Sequence, residues 1–307
     1  MRALVTGAGG FVGSYLVRSL VADGVEVFAG ALDGSPPSGG QAGARWLALD
    51  VTSAASVAAA VAEARPDAVF HLAGQASVAN SFDDPAGTWD TNATGTLRLV
   101  EALAPGTRVV FASSAEVYGA VPDAEQPIRE DRPPRPANPY AASKAAAEMA
   151  CVAAAARGVE AVVARSFNHT GPGQDSRFAL ASWARQIAAI RAGDAEPVLR
   201  VGNLEARRDL LDVRDVVRAY RRLAEAGAPA TAYNVCSGTA SSMREVLDAL
   251  VEISGAEVRV EVDPERVRPV DVPLLLGDPG RMGELGWTPQ IPLRQTLADL
   301  LAAEAAP

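Results

Sequence analysis

The stretch T-G-A-G-G-F-V-G at residues 6–13, taken together with the sequence on either side of it, indicates the fold. The apolar run RALVT at 2–6 precedes it, and apolar residues with helical spacing continue over 11–23. A buried strand, a glycine-rich turn and a helix in this order are typical of a βαβ unit that binds a dinucleotide. The motif therefore predicts a parallel α/β sheet that begins at the first residues.

Each glycine of this motif has a physical role in the predicted site. Gly7 permits the tight turn, Gly10 lets the backbone approach a pyrophosphate, and Gly13 allows the helix to pack closely on the strand. The helix then begins at Phe11 and Val12, whose amides and positive helix end face the phosphates. We expect these five residues to hold the diphosphate of the cofactor.

Apolar runs of strand length alternate with Ala-rich helical stretches over the first half of the chain. The strand-like runs lie at 25–30, 46–49, 68–73, 108–113 and 160–165, and the helical stretches lie at 53–65, 86–104 and 139–157. This alternation predicts an α/β fold with a Rossmann-type doubly wound parallel sheet. Shorter elements and Gly- and Pro-containing loops follow. We therefore expect a nucleotide-binding domain over 1–166 and a smaller C-terminal α/β substrate lobe over 167–307, with some returns to the sheet.

Acidic residues follow the second and third predicted strands. Asp33 lies about 20 residues beyond Gly13, where a carboxylate meets the adenosine ribose. Because no arginine lies near Asp33 to accept a 2′-phosphate, the sequence favours NAD(H) over NADP(H). The alternative is that Asp33 is a solvated loop residue. Asp50 and Val51 are placed to meet the adenine, and the other side of the cofactor is lined by Leu72, Ala73 and Gly74.

Y-A-A-S-K at 140–144 places a phenol and an ammonium group one turn apart on a predicted helix. Tyr140 and Lys144 therefore share a face. We expect Lys144, together with a charged nicotinamide ring, to lower the pKa of the phenol so that it exchanges protons with a carbonyl or carbinol. Ser114 follows the fifth strand and would hydrogen-bond the reacting oxygen. The alternative is that the pair is purely structural.

The composition excludes several other functions. A net charge of −9 disfavours a nucleic-acid binder, which normally has a basic face. The two cysteines, Cys151 and Cys236, are expected to be buried thiols, and His71 and His169 are too few and too scattered for a metal site. Because neither a secretory signal nor a membrane-spanning run is recognised, we expect a cytoplasmic protein with no membrane partner.

Five segments together identify a family resemblance over essentially the whole chain. TGAGGFVG, HLAGQASV, SSAEVYG, YAASK and RSFNHTGPG resemble the extended short-chain dehydrogenase/reductase family of NAD-dependent epimerases and dehydratases. The resemblance implies a catalytic set of Ser114, Tyr140 and Lys144. It also implies hydride transfer to or from C4 of a sugar that is attached to a nucleoside diphosphate.

The later motifs narrow the resemblance to a branch that acts on GDP-linked 6-deoxysugars. These motifs lie at 165–174, 201–216 and 233–238. They imply an NAD(P)-dependent reductase that converts GDP-4-keto-6-deoxy-D-mannose to GDP-D-rhamnose. A GDP-mannose 4,6-dehydratase or a 4-epimerase with a retained cofactor is the alternative. Glu116 leaves this choice open, since the resemblance makes it a base at C5 in dehydratases, whereas it could instead anchor a loop.

A third possibility is a regulator that senses dinucleotides without catalysis, which the retained tyrosine–lysine pair disfavours. The resemblance assigns Arg208 and Arg268 to the diphosphate and its ribose, with an amide from Asn168, and residues near 178–203, with Asn203, to the nucleobase. These arginines could alternatively pair with surface aspartates.

The resemblance also implies a homodimer. Its four-helix bundle would be formed by the helices near 86–104 and 139–157 of each subunit. Packing of these helices within one subunit is the alternative.

Overall fold

The computed structural model describes residues 1–37, 42–266 and 272–305. The described strands are β1 (Arg2–Thr6), β2 (Glu26–Ala31), β3 (Ala44–Ala48), β4 (Ala68–His71), β5 (Arg108–Ser114), β6 (Glu160–Ser166), β7 (Asn168–Thr170), β8 (Val198–Val201), β9 (Arg207–Asp212), β10 (Ala232–Val235), β11 (Ala240–Ser242), β12 (Arg259–Val262) and β13 (Leu274–Leu275). The described helices are α1 (Phe11–Ala22), α2 (Ala54–Ala64), α3 (Val78–Asp83), α4 (Pro85–Trp89), α5 (Gly95–Ala102), α6 (Pro139–Ala154), α7 (Ala179–Ala192), α8 (Val213–Ala226), α9 (Met243–Ser254), α10 (Gly280–Glu284) and α11 (Leu293–Glu304).

Seven parallel strands form the central sheet in the order β10-β6-β5-β4-β1-β2-β3. This arrangement confirms the predicted α/β class with a Rossmann-type sheet. The chain order reverses between β1 and β4, so a crevice forms at the carboxyl ends of these two strands. Thr6 and His71 are the last residues of the two strands and lie in register. The cofactor-binding motifs therefore converge at this switch point.

Helices cover both faces of the central sheet. On one face, Leu16 and Leu20 of α1 share an apolar core with Tyr220 and Leu223 of α8. On the other face, α2, α5 and α6 pack in a second core that includes the buried Cys151. Cys236 is buried as well, and both thiols are free, which confirms the sequence expectation. The central strands are thus buried against helices on both faces, which is why they are continuous hydrophobic runs in the sequence.

The second part of the chain forms two smaller sheets that the periodicity of the sequence did not define. Strands β11, β9 and β13 pair in that order, β7 pairs with β9, and β8 pairs with β12. Helices α7, α9 and α11 pack around a third apolar core that includes Trp183, Leu247 and Leu300. Strand β10 returns to the central sheet beside β6, so the two parts of the chain share elements.

The predicted helix at 86–104 is interrupted in the structure. Helix α4 ends at Trp89, a π-helical turn spans Asp90–Thr94, and α5 begins at Gly95. A π-helical turn adds one residue to the helical repeat and often accompanies a functional site. None of the helices within the described ranges combines the length and apolar character needed to cross a bilayer.

Candidate active site

The glycine turn between β1 and α1 fits a diphosphate. Gly7 has φ +67°, and a Cβ there would lie 2.7 Å from the amide nitrogen of Ala73. A Cβ on Gly13 would lie 2.2 Å from the Gly7 carbonyl oxygen. Gly10 begins the helix without a side-chain cap, and the first turn of the helix, which starts with Phe11, contains no acidic residue. The first amides of α1 are therefore left for an anionic ligand.

The loop after β4 is fixed by hydrogen bonds to the end of β1. The Thr6 hydroxyl accepts the amides of Leu72 (3.2 Å) and Ala73 (3.0 Å) and lies 2.7 Å from Nδ1 of His71. Because Thr6 already accepts two amide protons, it donates to Nδ1, and Nε2 of His71 then donates to Thr96 at 2.9 Å. Burial lowers the pKa of His71 to about 3, so this ring is neutral and structural.

The two acidic residues predicted for the adenosine lie at the carboxyl ends of β2 and β3. Asp33 is exposed, and its carboxylate accepts the Ser35 amide at 3.0 Å. Asp50 accepts the amide and hydroxyl of Thr52 at 2.9 and 2.7 Å, which lowers the pKa of its carboxyl group. Val51 is buried against Gly95. This edge adjoins the glycine turn, as the two proposed roles require.

Helix α6 brings the catalytic candidates together. Asn138 caps the helix, since its side-chain oxygen accepts the Ala141 amide at 2.8 Å. Tyr140 and Lys144 are both buried, with 8% and 7% exposure. Tyr140 shares a side-chain hydrogen bond with Ser114, which ends β5. Phenol, ammonium and hydroxyl groups therefore meet at the carboxyl edge of the sheet, beside the switch point.

The electrostatics of Tyr140 differ from the sequence expectation. The pKa of Tyr140 is raised to about 12, mainly by burial. The hydrogen bond from Ser114 lowers this pKa, and the carboxylate of Glu116 raises it. The expected lowering combined Lys144 with a charged nicotinamide ring, and in the protein alone the pKa of Tyr140 shifts in the opposite direction because burial is the largest cause. The phenol is consequently protonated at neutral pH, which is the form that can donate a proton to a carbonyl oxygen.

Lys144 is positioned for a charge-dependent role. Its Nζ lies 4.7 Å from the centroid of the Phe111 ring, and a Cβ on Gly74 would lie 3.6 Å from Nζ. Burial lowers the pKa of Lys144 to about 8, while Cys151 and Glu148 raise it. The ammonium group is thus charged at neutral pH and close to its titration range.

We expect kcat for carbonyl reduction to fall as the pH rises through about 8, because Lys144 then loses its proton. Its pKa is lowered, so the charged form is complete only below that pH. Lys144→Arg keeps the charge at all these pH values and should remove this alkaline limb. The measurement is kcat against pH at saturating substrates. An identical alkaline limb in the arginine variant would show that another group titrates.

Glu116 has a structural contact as well as a place in the site. It lies in a 3-10 turn over Ala115–Tyr118, and its amide donates to the Ser114 hydroxyl at 3.2 Å. Its carboxylate accepts the side-chain amide of Asn138 at 3.2 Å. Glu116 therefore tethers the turn to the cap of α6, and it lies near enough to Tyr140 to influence the phenol. The loop-anchoring and base roles that the sequence left open are both compatible with this position.

Asn92 is a site residue that the sequence reasoning missed. It is buried in the π-helical turn, where its side-chain oxygen accepts the Gln75 amide at 2.8 Å. Its side-chain nitrogen donates to the Gln75 carbonyl at 3.0 Å and to the Ser143 hydroxyl at 2.9 Å. Asn92 thus joins the cofactor loop to α6 between Tyr140 and Lys144. The segment N-A-T-G-T at 92–96 is the only sequence signal for Asn92. The π-helical turn shows that the side chain of Asn92 points toward the cofactor loop and α6.

His169 is a second residue without a predicted role. Its ring stacks on Phe11 with centroids 6.3 Å apart and an interplanar angle of 6°. Nδ1 donates to the Phe167 carbonyl at 3.0 Å, and burial lowers the pKa of the ring. The adjoining loop is held by Tyr15, whose hydroxyl donates to Pro172 at 2.8 Å. These contacts dock the first substrate-side loop on the start of α1.

The predicted substrate residues occupy different positions along the second part of the chain. Asn168 is exposed in β7, and Asn203 accepts the Glu205 amide at 2.9 Å. Arg208 donates to the carbonyls of Arg207 and Val272 at 2.9 and 2.7 Å. Arg268 lies outside the described residues.

A cavity of about 560 Å³ lies between α7, β8 and the turn at 264–266. Three guanidinium groups and one carboxylate contribute to its lining: Arg185, Arg200, Arg266 and Glu196. The sequence analysis singled out the region 178–203 but named neither Arg185 nor Arg200, because the two side chains come together only when β8 packs beside α7. The cavity is concave and predominantly cationic, which suits a phosphorylated ligand.

The described residues contain no cluster of His, Cys, Asp and Glu that could hold a metal ion. A parallel sheet with a diphosphate cradle at its switch point, and a buried tyrosine–lysine pair beside the half-buried Ser114, define an NAD(P)-dependent oxidoreductase of the extended short-chain dehydrogenase/reductase class.

Comparisons with known proteins agree with this class. A family model described as GDP-mannose 4,6 dehydratase matches residues 4–300. GDP-6-deoxy-D-mannose reductase from Pseudomonas aeruginosa is 43% identical over 77% of this chain and 80% of its own length. GDP-mannose 4,6-dehydratase from Vibrio cholerae is 31% identical over 98% of this chain and 93% of its own length. The chain therefore belongs to the GDP-mannose 4,6-dehydratase family.

Two solved structures show the same fold with bound cofactor. The structure of RMD from Pseudomonas aeruginosa in complex with NADPH has a TM-score of 0.88 and 37% identity, and the match covers 99% of this chain and 98% of that one. Thermus thermophilus UDP-glucose 4-epimerase in complex with NAD has a TM-score of 0.88 and 32% identity, with 99% of both chains covered. Members of this group are nucleotide-sugar reductases, dehydratases and epimerases, and this chain is an NAD(P)-dependent enzyme of that group.

Proposed function

We propose that this enzyme reduces the 4-keto group of GDP-4-keto-6-deoxy-D-mannose and forms GDP-D-rhamnose. The observation that carries the proposal is the buried, protonated Tyr140 beside Ser114, which suits proton donation to a carbonyl oxygen. The 43% identity to a protein named GDP-6-deoxy-D-mannose reductase supports the choice of substrate.

The residues of the site have separable roles in this reaction. A reduced nicotinamide cofactor held at the glycine turn would supply the hydride. Ser114 donates a hydrogen bond to the carbonyl oxygen at C4, and Tyr140 transfers its proton to that oxygen as the alcohol forms. Lys144 remains charged and stabilises the phenolate that Tyr140 leaves behind. Glu116 and Asn138 hold the turn that carries Ser114 against the start of α6.

A 4,6-dehydratase or a 4-epimerase with a retained cofactor is the second candidate. Glu116 favours the dehydratase, because its carboxylate lies close enough to Tyr140 to raise the phenol pKa and could act as a base on the same sugar ring. The GDP-mannose 4,6-dehydratase from Vibrio cholerae supports the same candidate.

One assay separates the candidates. The purified enzyme is incubated with GDP-4-keto-6-deoxy-D-mannose and a reduced nicotinamide, and in parallel with GDP-mannose alone. The proposal expects stoichiometric oxidation of the nicotinamide and a 6-deoxy alcohol product only in the first reaction. Conversion of GDP-mannose without net consumption of nicotinamide would replace the reductase by the dehydratase. Because the proposed reaction consumes a reduced nicotinamide, it also supports a cytoplasmic location.

We propose a preference for NAD(H) within the NAD(P)(H) class. Asp33 is an exposed carboxylate after β2, and it would repel a 2′-phosphate there. Arg45 lies on β3 near its opposite end, where its guanidinium pairs with Glu63 at 2.5 Å and stacks over Phe28. We expect kcat/KM to be higher for NADH than for NADPH, and the Asp33→Ala variant to narrow the difference. Preferential use of NADPH by the wild-type enzyme would reject the proposed role of Asp33.

The arginine-lined cavity is proposed to bind the nucleotide part of the substrate. Arg185, Arg200 and Arg266 offer bidentate donors, and the cavity adjoins the 178–203 region that was expected to meet the nucleobase. Arg208 and Arg268 are proposed to bind the diphosphate and ribose, with Asn168 and Asn203 as polar contacts. We also propose a cofactor domain over 1–166 and a substrate lobe over 167–307, because the proposed cofactor-binding residues lie in the first range and the proposed substrate-binding residues lie in the second.

A homodimer through α5 and α6 is also proposed. Four large apolar side chains on α4 to α6 are exposed: Trp89, Leu97, Met149 and Val152. Met149 and Val152 lie one turn apart on α6, on the side opposite the buried Tyr140 and Lys144. A second subunit would cover this apolar surface.

We expect Met149→Glu to raise the dimer dissociation constant by at least about tenfold, because the charge would be desolvated in the interface. Sedimentation equilibrium measures the constant. Val262→Glu is the matched control, since Val262 is exposed on β12, away from these helices. A monomeric wild-type enzyme at the highest concentrations would reject the proposed dimer.

A further inference from the structure

A group of buried polar side chains connects α6 to the two strands beneath the site. The carboxylate of Glu148 accepts the Ser113 hydroxyl at 2.5 Å. It also accepts three contacts from the Arg165 guanidinium, two from Nε at 3.0 and 3.2 Å and one from Nη2 at 2.7 Å. All three residues are at least 95% buried. Ser113 and Arg165 lie in register on β5 and β6, so their side chains reach α6 from the same face of the sheet.

The same guanidinium extends the connection toward the substrate side. Nη1 of Arg165 donates to the Tyr118 hydroxyl at 3.0 Å, and that hydroxyl donates to the Asn234 side-chain oxygen at 2.6 Å. The Asn234 side-chain nitrogen donates to the Ile128 carbonyl at 2.8 Å. Ile128 in turn pairs by its backbone with Leu276 and Asp278, near the start of the described stretch 272–305.

Three members of this network, Ser113, Glu148 and Tyr118, lie near a residue of the proposed catalytic set along the sequence. Ser113 precedes Ser114, and Glu148 follows Lys144 by one turn of α6. Tyr118 ends the turn that contains Glu116. The buried network therefore supports the segments that carry Ser114, Lys144 and Glu116. The reacting groups themselves face the crevice at the carboxyl ends of the strands.

The energetics argue against stability as the main role of this network. Desolvating a carboxylate and a guanidinium costs several kcal/mol for each ion, and their attraction often only offsets this cost. Apolar residues of similar volume would fill the same space at least as favourably. A buried pair with three hydrogen bonds does fix the relative positions of the elements that it joins, and directional bonds do this better than apolar contacts.

We propose that Glu148 and Arg165 are positioning residues that hold Ser114 and Lys144 in register with each other and with the segment 276–278. This inference rests on the reductase function proposed above. Displacement of a reacting group by about 1 Å can lower a rate by about a hundredfold. Loss of the network should therefore lower kcat, while KM for the nucleotide sugar changes little because its binding groups lie elsewhere.

The experiment compares two variants that differ in charge balance. Glu148→Gln leaves the Arg165 charge buried without its counterion and should strongly lower the unfolding temperature. Glu148→Gln combined with Arg165→Met removes both charges and should recover most of that loss. We expect the double variant to remain folded and to bind the nicotinamide cofactor, with kcat lowered by about tenfold to a hundredfold and KM within about threefold of wild type.

Two further variants make the result specific. Ser113→Ala removes one hydrogen bond and leaves the ion pair intact, so we expect a smaller fall in kcat at nearly wild-type stability. Asp215→Asn combined with Arg218→Met removes a second pair with a buried carboxylate, which accepts the amides of Gln290 and Ile291 and lies away from the site. This second double variant is the control, and it should change the unfolding temperature and leave kcat unchanged.

The outcomes separate this inference from the proposed function. Wild-type kcat in the stable double variant would overturn the positioning role and leave the reductase function intact. A wild-type enzyme that consumes no reduced nicotinamide with the keto sugar would overturn the function itself. In that case, the same variants assayed for the dehydratase or epimerase reaction would still test the positioning role.

Discussion

The Tyr140→Phe variant is expected to lose about two to four orders of magnitude in kcat for the reduction. The phenol is the proton donor, and a phenyl ring fills the same volume without a hydroxyl. Since Tyr140 is buried and shares a hydrogen bond with Ser114, the change removes about one hydrogen bond of stability and little packing. Initial rates at saturating substrates measure the loss, and cofactor binding followed by fluorescence should stay close to wild type.

Tyr233→Phe is the matched control for this variant. Tyr233 is also buried, and its hydroxyl accepts one hydrogen bond, from the Ala228 amide at 2.9 Å. It lies on β10, away from the catalytic set, so its kcat should remain unchanged while its stability falls by a similar amount. Turnover in Tyr140→Phe that equals the control would remove Tyr140 from the reaction.

Gly13→Ala is expected to cause the second large effect, by disrupting the cofactor cradle. The added Cβ would lie 2.2 Å from the Gly7 carbonyl oxygen and 2.9 Å from Cα of Ala8, and both atoms belong to the backbone of the glycine turn that follows β1. The turn must therefore open, which should lower the free energy of unfolding by about 1–3 kcal/mol. Opening the turn also misdirects the amides of α1, so the cofactor dissociation constant should rise at least about tenfold.

Urea unfolding and cofactor titration measure these two effects. Gly283→Ala serves as the control, because Gly283 lies in the helix α10 and a Cβ there meets no atom within 4 Å. Alanine is the better helix former, so this variant should be as stable as wild type or more stable. If Gly13→Ala matched the control in both measurements, the close approach of α1 to the turn would have no role in cofactor binding.

The central sheet could be predicted from the sequence because its strands are buried on both faces. Runs such as RALVT at 2–6 and RVVFAS at 108–113 are continuous and apolar, and glycine or helical spacing follows them. The helix at 86–104 was predicted as continuous because a π-helical turn keeps helical composition. The sheet around β9 was not predicted, since β7, β11 and β13 are two or three residues long and pair across distant parts of the chain.

The catalytic candidates were predictable only where their spacing is local. Tyr140 and Lys144 lie four residues apart, and the structure places both on one buried face. Asn92 and Arg165 act through contacts with residues 17 to 51 positions away, which no local pattern reports. The sign of the Tyr140 pKa shift was missed for a related reason, because burial by distant elements cannot be read from the neighbouring lysine.

The return of β10 to the central sheet has a consequence for synthesis on the ribosome. The central sheet has β10 as an edge strand, and α8 packs with α1 on one of its faces. Both elements are translated after the first 166 residues. Until these later segments emerge, one face of the nascent sheet lacks its cover and β6 lacks its outer neighbour. The nascent chain therefore completes its central sheet only after β10 has been made, roughly half-way through residues 167–307, and the apolar face that is exposed until then is a contact site for a chaperone.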